Sequence, residues 1–135
     1  MQREIKFRAW DKNAKEMFGW DSQNSFMINS RTGKVQKAVR WGFEDSDDYE
    51  VMQYTGLKDK NGKEIYEGDI LEYYFDSPHG IIANKGVMEW NEEKACFGMF
   101  METELDVLPE HVLTAYKPLI LGNIHEAPEL LSKKK

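Results

Sequence analysis

The sequence predicts a mainly β protein with minor helix, and two observations support this fold class. Polar and apolar residues alternate with a period of two in several segments, which is the pattern of half-buried strands. Turn-forming residues recur roughly every ten residues along the chain. The alternation excludes a helical bundle, and about six to eight short strands separated by such turns indicate a small barrel or sandwich.

The beginning of the chain predicts a β-hairpin. Residues 4–10 alternate between polar and apolar side chains, residues 11–14 form a polar turn, and residues 17–18 begin the returning strand. Two further strands are predicted at residues 26–28 and 35–41, on either side of a turn that contains Thr-Gly.

The densest run of charge is Glu-Asp-Ser-Asp-Asp, at residues 44–48. Because neighbouring carboxylates repel one another, this run predicts a solvated loop. We expect the loop to separate an N-terminal hairpin region from the rest of the chain. A calcium site is the alternative interpretation, although a flexible acidic loop rarely holds the geometry that calcium requires.

The middle of the chain predicts a second hairpin. Residues 49–54 alternate as a strand does, and residues 64–66 return after a turn at residues 58–63. The Asn-Gly dipeptide of this turn readily supplies the positive φ that tight hairpin turns require. A further turn, Glu-Gly-Asp, leads into a strand at residues 70–75 that is rich in β-forming side chains.

The last part of the chain predicts a strand pair and a final strand. Residues 76–80 contain Pro78 and are expected to end the preceding strand. The elements predicted beyond them are strands at residues 86–90, 95–101 and 119–121, a turn at 91–94, a short helix or irregular segment at 105–113, a helical turn at 127–131 and a frayed tail at 132–135.

Two segments of the chain resemble each other. Residues 11–18 read Asp-Lys-Asn-Ala-Lys-Glu-Met-Phe, and residues 59–66 read Asp-Lys-Asn-Gly-Lys-Glu-Ile-Tyr. A repeat architecture needs about three or more copies to bury a continuous core. Shared turn chemistry is therefore the better interpretation of this pair than duplication.

Composition limits the classes of function. The chain has 135 residues and a net charge of −6, so one globular domain is expected and the phosphate backbone of nucleic acid is repelled. Arg3, Lys6 and Arg8 form a local basic cluster that runs against this balance. The charged start is unlike a signal peptide, and no apolar run approaches the ~20 residues of a membrane span. We therefore expect a cytoplasmic protein with no membrane contact.

No motif for catalysis, metal binding or cofactor binding is present in the sequence. His79, His111 and His125 lie far apart, and neither they nor the single cysteine have the spacing of zinc ligands. Cys96 cannot form an intrachain disulfide, and its place in a probable strand predicts a buried structural thiol. The sequence thus predicts neither catalytic residues nor metal or cofactor ligands.

Candidate binding residues come from the basic cluster and from the aromatic groups. Arg8 belongs to the cluster, and Trp10, Trp41 and Tyr74 could stack on bases or grip a peptide from the face of a barrel. In a domain of this size, however, such aromatic side chains more often fill the core.

Several blocks of the sequence resemble the YopX family of phage and prophage proteins. They are Lys-Phe-Arg-Ala-Trp-Asp at residues 6–11, the long block from Gln53 to Leu71, residues 87–90 with Phe97, and residues 121–124 with Glu126 and Pro128-Glu129-Leu130-Leu131. The blocks run in the family's order across nearly the whole chain. The chain departs from the family at His125, where tyrosine is usual, and at Ala127, where asparagine is usual, which puts any role of that tyrosine in doubt.

This resemblance implies a phage or prophage origin, an SH3-like barrel in the second half of the chain, and possible homo-oligomers. It implies no catalytic residues. The expected organisation is a single domain over residues 1–126, made of an N-terminal hairpin region at 1–48 and a barrel region at 49–126, with a turn and tail at 127–135.

The predicted function is that of a non-catalytic interaction module that binds a host or phage protein. One alternative is a nucleic-acid-binding accessory protein, or a DNA mimic that uses the carboxylates of residues 44–50. A second alternative is a homo-oligomeric structural protein. An enzyme would have to hide its site among scattered carboxylates.

Overall fold

The computed structural model describes residues 4–19, 26–77, 80–101 and 118–131. Within them the chain is mainly β, as predicted. The strands are β1 (Phe7–Asp11), β2 (Glu16–Phe18), β3 (Met27–Ile28), β4 (Val35–Val39), β5 (Gly42–Ser46), β6 (Tyr49–Lys58), β7 (Glu64–Tyr66), β8 (Asp69–Ser77), β9 (Gly80–Asn91), β10 (Cys96–Met101) and β11 (Leu119–Asn123), and a 3-10 helix spans Pro128–Leu130. The chain divides into two compact units, Met1–Tyr54 and Thr55–Lys135.

The predicted N-terminal hairpin is confirmed in the first unit. Strands β1 and β2 are antiparallel, with Ala9 opposite Phe18, and β1 begins at Phe7 rather than at residue 4. On its other side β1 pairs with the first half of β6. Ala9 and Trp10 are buried, so this strand contributes directly to the core of its unit.

A second sheet of the first unit has the strand order β3-β4-β5. The turn between β3 and β4 is organised by Asn29, whose side-chain Oδ1 and carbonyl oxygen both accept backbone N–H groups from the turn. Strand β4 ends at Val39, which lies opposite Gly42, so Arg40 and Trp41 form a two-residue hairpin turn. The strand predicted to reach residue 41 therefore ends before the turn.

The prediction of a solvated loop through the acidic run was wrong for its first part. Glu44 and Asp45 lie in β5, where they are opposite Lys37 and Gln36 of β4. A cation and an amide across the strand pair offset the repulsion between neighbouring carboxylates. The run thus becomes an edge strand of the three-stranded sheet and bends only after Ser46.

The second unit contains a four-stranded antiparallel sheet with the order β10-β9-β8-β11. Strands β8 and β9 pair from Ile70 opposite Val87 to Ser77 opposite Gly80, so they extend into the region predicted to break the strand. One face of this sheet packs onto a core made of Ile65, Leu71, Tyr73 and Met88, with Leu57, Phe97 and Ile120 packed against it. Aromatic and branched side chains on one face of a curled sheet are what the alternating pattern predicts.

The turn at residues 58–63 is confirmed, and a buried carboxylate organises it. Gly62 has a φ of 84°, as expected for the glycine of an Asn-Gly turn. The Asp59 side chain is 2% exposed and accepts the backbone N–H of Asn61 at 2.8 Å, of Lys63 at 2.9 Å and of Ile120 at 3.2 Å. The turn is therefore bound to β11 as well as to its own hairpin.

The end of the described chain packs closely on β11. The predicted helical turn is confirmed as the 3-10 helix, and the Lys85 ammonium donates to the Leu130 carbonyl at 2.8 Å. A Cβ at Gly122 would stand 2.9 Å from Leu130 Cδ1, so any other residue here would displace the end of the leucine side chain. The helix predicted at residues 105–113 and the tail at 132–135 lie outside the described residues.

The predicted burial of Cys96 was wrong, because the residue is exposed. Cys96 is the first residue of β10 and lies opposite Asn91, next to the exposed turn at residues 92–95. Here the side chain next to the hairpin turn is exposed, although the strand is apolar farther along.

Candidate functional site

The most exposed aromatic side chain in the described part of the chain lies at the end of the β4–β5 hairpin. Trp41 is 81% exposed and occupies the second position of the two-residue turn. Five residue pairs of β4 and β5 hold this turn in register, from Val35 opposite Ser46 to Val39 opposite Gly42. The indole is thus displayed on a hydrogen-bonded hairpin rather than on a free loop.

Three further apolar side chains share one face of the same sheet. Ala38 is directly opposite Phe43, and directly opposed residues of antiparallel strands project to the same side. Met27 is opposite Gln36, which is two residues from Ala38 and therefore on that same face. Phe43 is 57% exposed and Met27 is 44% exposed. We call Met27, Ala38, Trp41 and Phe43 the hairpin surface.

Polar contacts fix the base of the hairpin surface. Asp45 accepts from Asn29 Nδ2 at 3.0 Å and from Gln36 Nε2 at 3.4 Å. The hydrogen bond from Asn29, followed by those from Thr32 and Gln36, lowers the pKa of the Asp45 carboxyl. Asp45 is therefore ionised at neutral pH and joins β5 to β4 and to the β3–β4 turn.

Two further carboxylates of the acidic run, Asp47 and Asp48, are paired with cations of the same unit. Lys34 Nζ lies 2.7 Å from Asp47, a hydrogen bond and charge contact that raises the pKa of Lys34 and lowers that of Asp47. Lys37 Nζ lies 3.3 Å from Asp48. These exposed pairs contribute little stability, but they offset two of the four negative charges of the run.

Two of the residues proposed from the sequence lie in β1 of the first unit. Trp10 is buried, opposite Met17 on one side and Glu50 on the other, so its indole is part of the core. Arg8 is half-buried and lies opposite Met52 in β6. Of the four proposed residues, Trp41 alone presents most of its side chain to solvent.

Tyr74, the fourth proposed residue, lies in β8 of the second unit. Its side chain is half-buried, and its hydroxyl donates to Glu72 Oε1 at 3.1 Å. This hydrogen bond, together with the negative charge of Glu72, raises the pKa of Tyr74. The phenol is thus neutral and already hydrogen-bonded at neutral pH.

The second unit also has an exposed aromatic residue, Trp90. It lies opposite Phe97, and the two rings meet edge to face with their centroids 5.1 Å apart. Phe97 packs against the core cluster, which leaves Trp90 half-covered at 46% exposure. Trp90 therefore closes one end of the core more than it offers a free surface.

The described residues contain no group of three or more His, Cys, Asp or Glu side chains that could hold a metal ion. The calcium interpretation of the acidic run has no support there, because the carboxylates of the run contact lysine and amide groups instead. In the same part of the chain, no helix is long and apolar enough to cross a membrane.

The sequence predicted Trp41 as a candidate binding residue but not the face that Phe43 shares with Met27 and Ala38. The alternation of residues 35–39 and 42–46 could have placed Ala38 and Phe43 on one side, had the turn at Arg40 and Trp41 been located. The face on which Met27 lies depends on the register of β3, and alternation in a strand of two residues does not specify that register.

Comparisons with known proteins give one consistent result. A family model described as YopX protein matches residues 6–132. The chain is similar to the crystal structure of protein EF1440 from Enterococcus faecalis, with a TM-score of 0.63 and 30% identity over 96% of this chain and 99% of that one. It is also similar to the crystal structure of protein yopX from Bacillus subtilis, with a TM-score of 0.57 and 21% identity over 96% of this chain and 98% of that one. A search of curated proteins found no match. This chain belongs to the YopX family.

Proposed function

We propose that this protein is a non-catalytic interaction module that binds a host or phage protein through the hairpin surface. The observation that supports the proposal most directly is the 81% exposure of Trp41 on a two-residue turn between paired strands. Tryptophan is among the side chains that contribute most to binding energy in protein interfaces. An exposed indole beside Phe43 and Met27 is a surface whose burial by a partner is favourable.

Binding through the hairpin surface would also cost little conformational entropy. The β4–β5 ladder and the Asn29 turn fix the backbone, and aromatic side chains have few rotatable bonds to immobilise. Burial of the exposed parts of Trp41 and Phe43 contributes on the order of several kcal/mol of apolar transfer free energy. With a partner that has a complementary apolar pocket, much of this transfer free energy would therefore remain as binding free energy.

The pairing of the acidic run argues against the DNA-mimic alternative. A phosphate mimic needs a row of free negative charge, whereas Asp45, Asp47 and Asp48 contact amide or lysine groups of their own unit. The net charge of −6 likewise disfavours direct binding of nucleic acid.

The test is a pull-down with the tagged full chain from bacterial lysate, with and without nuclease, read by mass spectrometry. The variant is Trp41→Ala combined with Phe43→Ala, and the matched control is Ile5→Ala, which truncates another exposed apolar residue of the same unit. We expect one protein to be retained by wild type and Ile5→Ala, to survive nuclease, and to be lost from the double variant. Retention that is unchanged in the double variant, or that disappears with nuclease, would contradict the proposal.

A second candidate function, homo-oligomeric assembly, is favoured by strand β10. This strand reads Cys-Phe-Gly-Met-Phe-Met, carries no charged residue and lies at an edge of its sheet in the described structure. Edge strands without charges are prone to pair with another copy. Light scattering over a range of concentrations distinguishes the two functions, because Cys96→Lys would reduce the measured mass if β10 edges pair and would leave it unchanged otherwise.

A further inference from the structure

The tip of the β6–β7 hairpin contains an exposed Asn-Gly dipeptide, Asn61 and Gly62. In this dipeptide the backbone nitrogen of the glycine can approach the side-chain carbon of the asparagine without hindrance from a Cβ. Nothing lies within 4 Å of the position that a Cβ would occupy at Gly62, so the surroundings do not block the approach either.

We propose that Asn61 is a deamidation site and that the buried Asp59 carboxylate controls its rate. In the reaction the Gly62 nitrogen loses its proton and bonds to Asn61 Cγ, the Cγ–Nδ2 bond breaks, and ammonia leaves with that proton. Water then opens the resulting cyclic imide at either carbonyl, which gives aspartate or isoaspartate at position 61. The only co-reactant is water, and no oxidant or reductant is required.

The native turn restrains the atoms that must react. The Gly62 N–H donates to the Asp59 carbonyl at 2.9 Å, so the nucleophilic nitrogen holds its proton and is directed toward Asp59. The Asn61 N–H donates to Asp59 Oδ1 at 2.8 Å, and the Lys63 N–H donates to the same oxygen at 2.9 Å. Rotation of the Asn61–Gly62 peptide toward the asparagine side chain therefore requires these hydrogen bonds to open.

The reaction products would weaken the same turn. An aspartate at position 61 places a second negative charge next to the Asp59 carboxylate, which is buried and cannot easily accommodate it. An isoaspartate adds a carbon to the backbone of a turn whose length sets the register of β6 and β7. A chain that has reacted once would thus open at this turn more readily than before.

The first hairpin of the protein supplies an internal reference. Asn13 occupies the position that corresponds to Asn61, two residues after an aspartate that caps the turn, and its N–H donates to Asp11 Oδ1 at 2.9 Å. The residue after Asn13 is Ala14, whose Cβ hinders attack by the backbone nitrogen. Deamidation at position 13 should therefore be slow in both the folded and the unfolded chain.

The experiment incubates the full chain at mildly alkaline pH and follows deamidation at positions 13 and 61 by peptide mapping with mass spectrometry. Wild type is compared in native buffer and in urea that unfolds it, Asp59→Ala in native buffer, and Gly62→Ala in urea. We expect Asn61 to react at least about tenfold faster in urea than in native buffer, which corresponds to about 1.4 kcal/mol of local opening. We also expect Asp59→Ala to accelerate the reaction at Asn61 and not at Asn13, and Gly62→Ala to slow it.

Each comparison can overturn one part of the proposal. If Asn61 reacts no faster than Asn13 in urea, position 61 is not a preferred site. If native and unfolded chains react at the same rate, the turn exerts no control. If Asp59→Ala does not fold, Asp59→Asn replaces it, because the neutral amide oxygen accepts the same hydrogen bonds more weakly than a carboxylate does. An unchanged rate at Asn61 in folded Asp59→Ala would exclude control by Asp59, and an unchanged rate in folded Asp59→Asn would exclude control by the carboxylate charge.

Discussion

The two hairpin turns that begin with aspartate share a sequence pattern but differ in what their aspartates contact. Asp11 accepts the N–H groups of Asn13 at 2.9 Å and of Ala14 at 3.0 Å, and its side chain is partly exposed. Asp59 accepts two N–H groups within its own turn and a third from Ile120, 61 residues farther along the chain. Both turns also donate a lysine N–H to a distant carbonyl, Lys12 to Asp48 and Lys60 to Pro118, each at 2.9 Å. The difference lies in the aspartate side chains, since among the described contacts Asp11 accepts from its own turn whereas Asp59 also accepts from a distant strand.

This difference shows how one local motif can have a local or a tertiary role. Within its turn each aspartate does the same thing, since it satisfies backbone donors that the reversal of the chain leaves without partners. The added contact to β11 accompanies the burial of the Asp59 side chain, which is 2% exposed, whereas Asp11 is partly exposed. Burial strengthens hydrogen bonds to a charged acceptor and makes their loss more damaging.

The largest expected effect is from Asp59→Ala. The substitution leaves three backbone N–H groups without their acceptor, and hydrogen bonds to a charged group contribute about 1.5–3 kcal/mol each without being additive. We expect a loss of about 3 kcal/mol in the free energy of unfolding, measured by urea denaturation. Asp11→Ala is the matched control and should lose less than about 1 kcal/mol, because its donors can reach water. Equal losses would show that the two turns do not differ energetically.

The next effect concerns β11, the strand that Asp59 reaches. In Gly122→Ala the new Cβ would stand 2.9 Å from Leu130 Cδ1 and 3.3 Å from Ala127 Cβ. Overpacking of this kind typically costs about 1–3 kcal/mol, and the mobile end of the leucine places the expectation near 1 kcal/mol. Combining Gly122→Ala with Leu130→Ala should make the two losses less than additive in urea denaturation. Strictly additive losses would mean that this contact does not limit the packing.

The pH dependence of stability offers a third way to separate the two turns. Burial raises the pKa of Asp59, but the N–H groups of Lys63, Ile120 and Asn61 together outweigh burial and hold the pKa below its ordinary value. Because the pKa is lower in the folded chain than in the unfolded chain, Asp59 stabilises the fold above its unfolded pKa. This stabilisation is lost as the pH falls through the folded pKa. We expect acid to destabilise wild type more steeply below about pH 4 than Asp59→Asn, and a parallel pH profile for the variant would contradict this.

The existence of the two related turns could be predicted from the sequence, whereas the distant contact of Asp59 could not, for a physical reason. The Asn-Gly dipeptide and the echo between residues 11–18 and 59–66 indicate two turns of related chemistry, because a turn is decided by adjacent residues. The partner of Asp59 lies 61 residues away, and local patterns contain no information about that contact. The hydrogen bonds of the two turns differ for this reason, and not because of the turn residues themselves.

The same difference between local patterns and distant contacts explains why other predictions from the sequence were wrong or incomplete. The acidic run is a strand because Lys37 lies across from Glu44, which depends on the register of β4 and β5 rather than on the run itself. Trp10 and Trp41 are equally apolar in sequence, yet one is buried and the other is 81% exposed, because only one of them lies at a hairpin turn. Alternation predicted most of the strands, whereas the strand through the acidic run and the exposure of the tryptophans depended on strand pairing.

The smallest expected effect is a gain in stability, and it concerns the residue that ends the Asp11 turn. Lys15 has a φ of 59°, whereas Gly62 supplies the positive φ of the Asp59 turn at 84°. A left-handed conformation costs a non-glycine residue roughly 1–2 kcal/mol. Glycine at this position removes that cost, but it also gives the unfolded chain more conformational freedom, which offsets part of the gain. We expect Lys15→Gly to stabilise the fold by about 0.5 kcal/mol. Ala95, with a φ of 51° in the β9–β10 turn, should respond to glycine in the same way.

The control for this prediction lies one residue away. Ala14 is exposed in the same turn and is not among the described residues with a positive φ, so Ala14→Gly relieves no strain and should destabilise the fold by about 0.5 kcal/mol. Opposite signs at positions 14 and 15, measured as shifts in the urea midpoint, would establish that Lys15 holds strain. Because that strain lies in a different turn from Asn61, its relief should leave the deamidation rate at Asn61 unchanged, whereas any variant that loosens Asp59 should increase that rate.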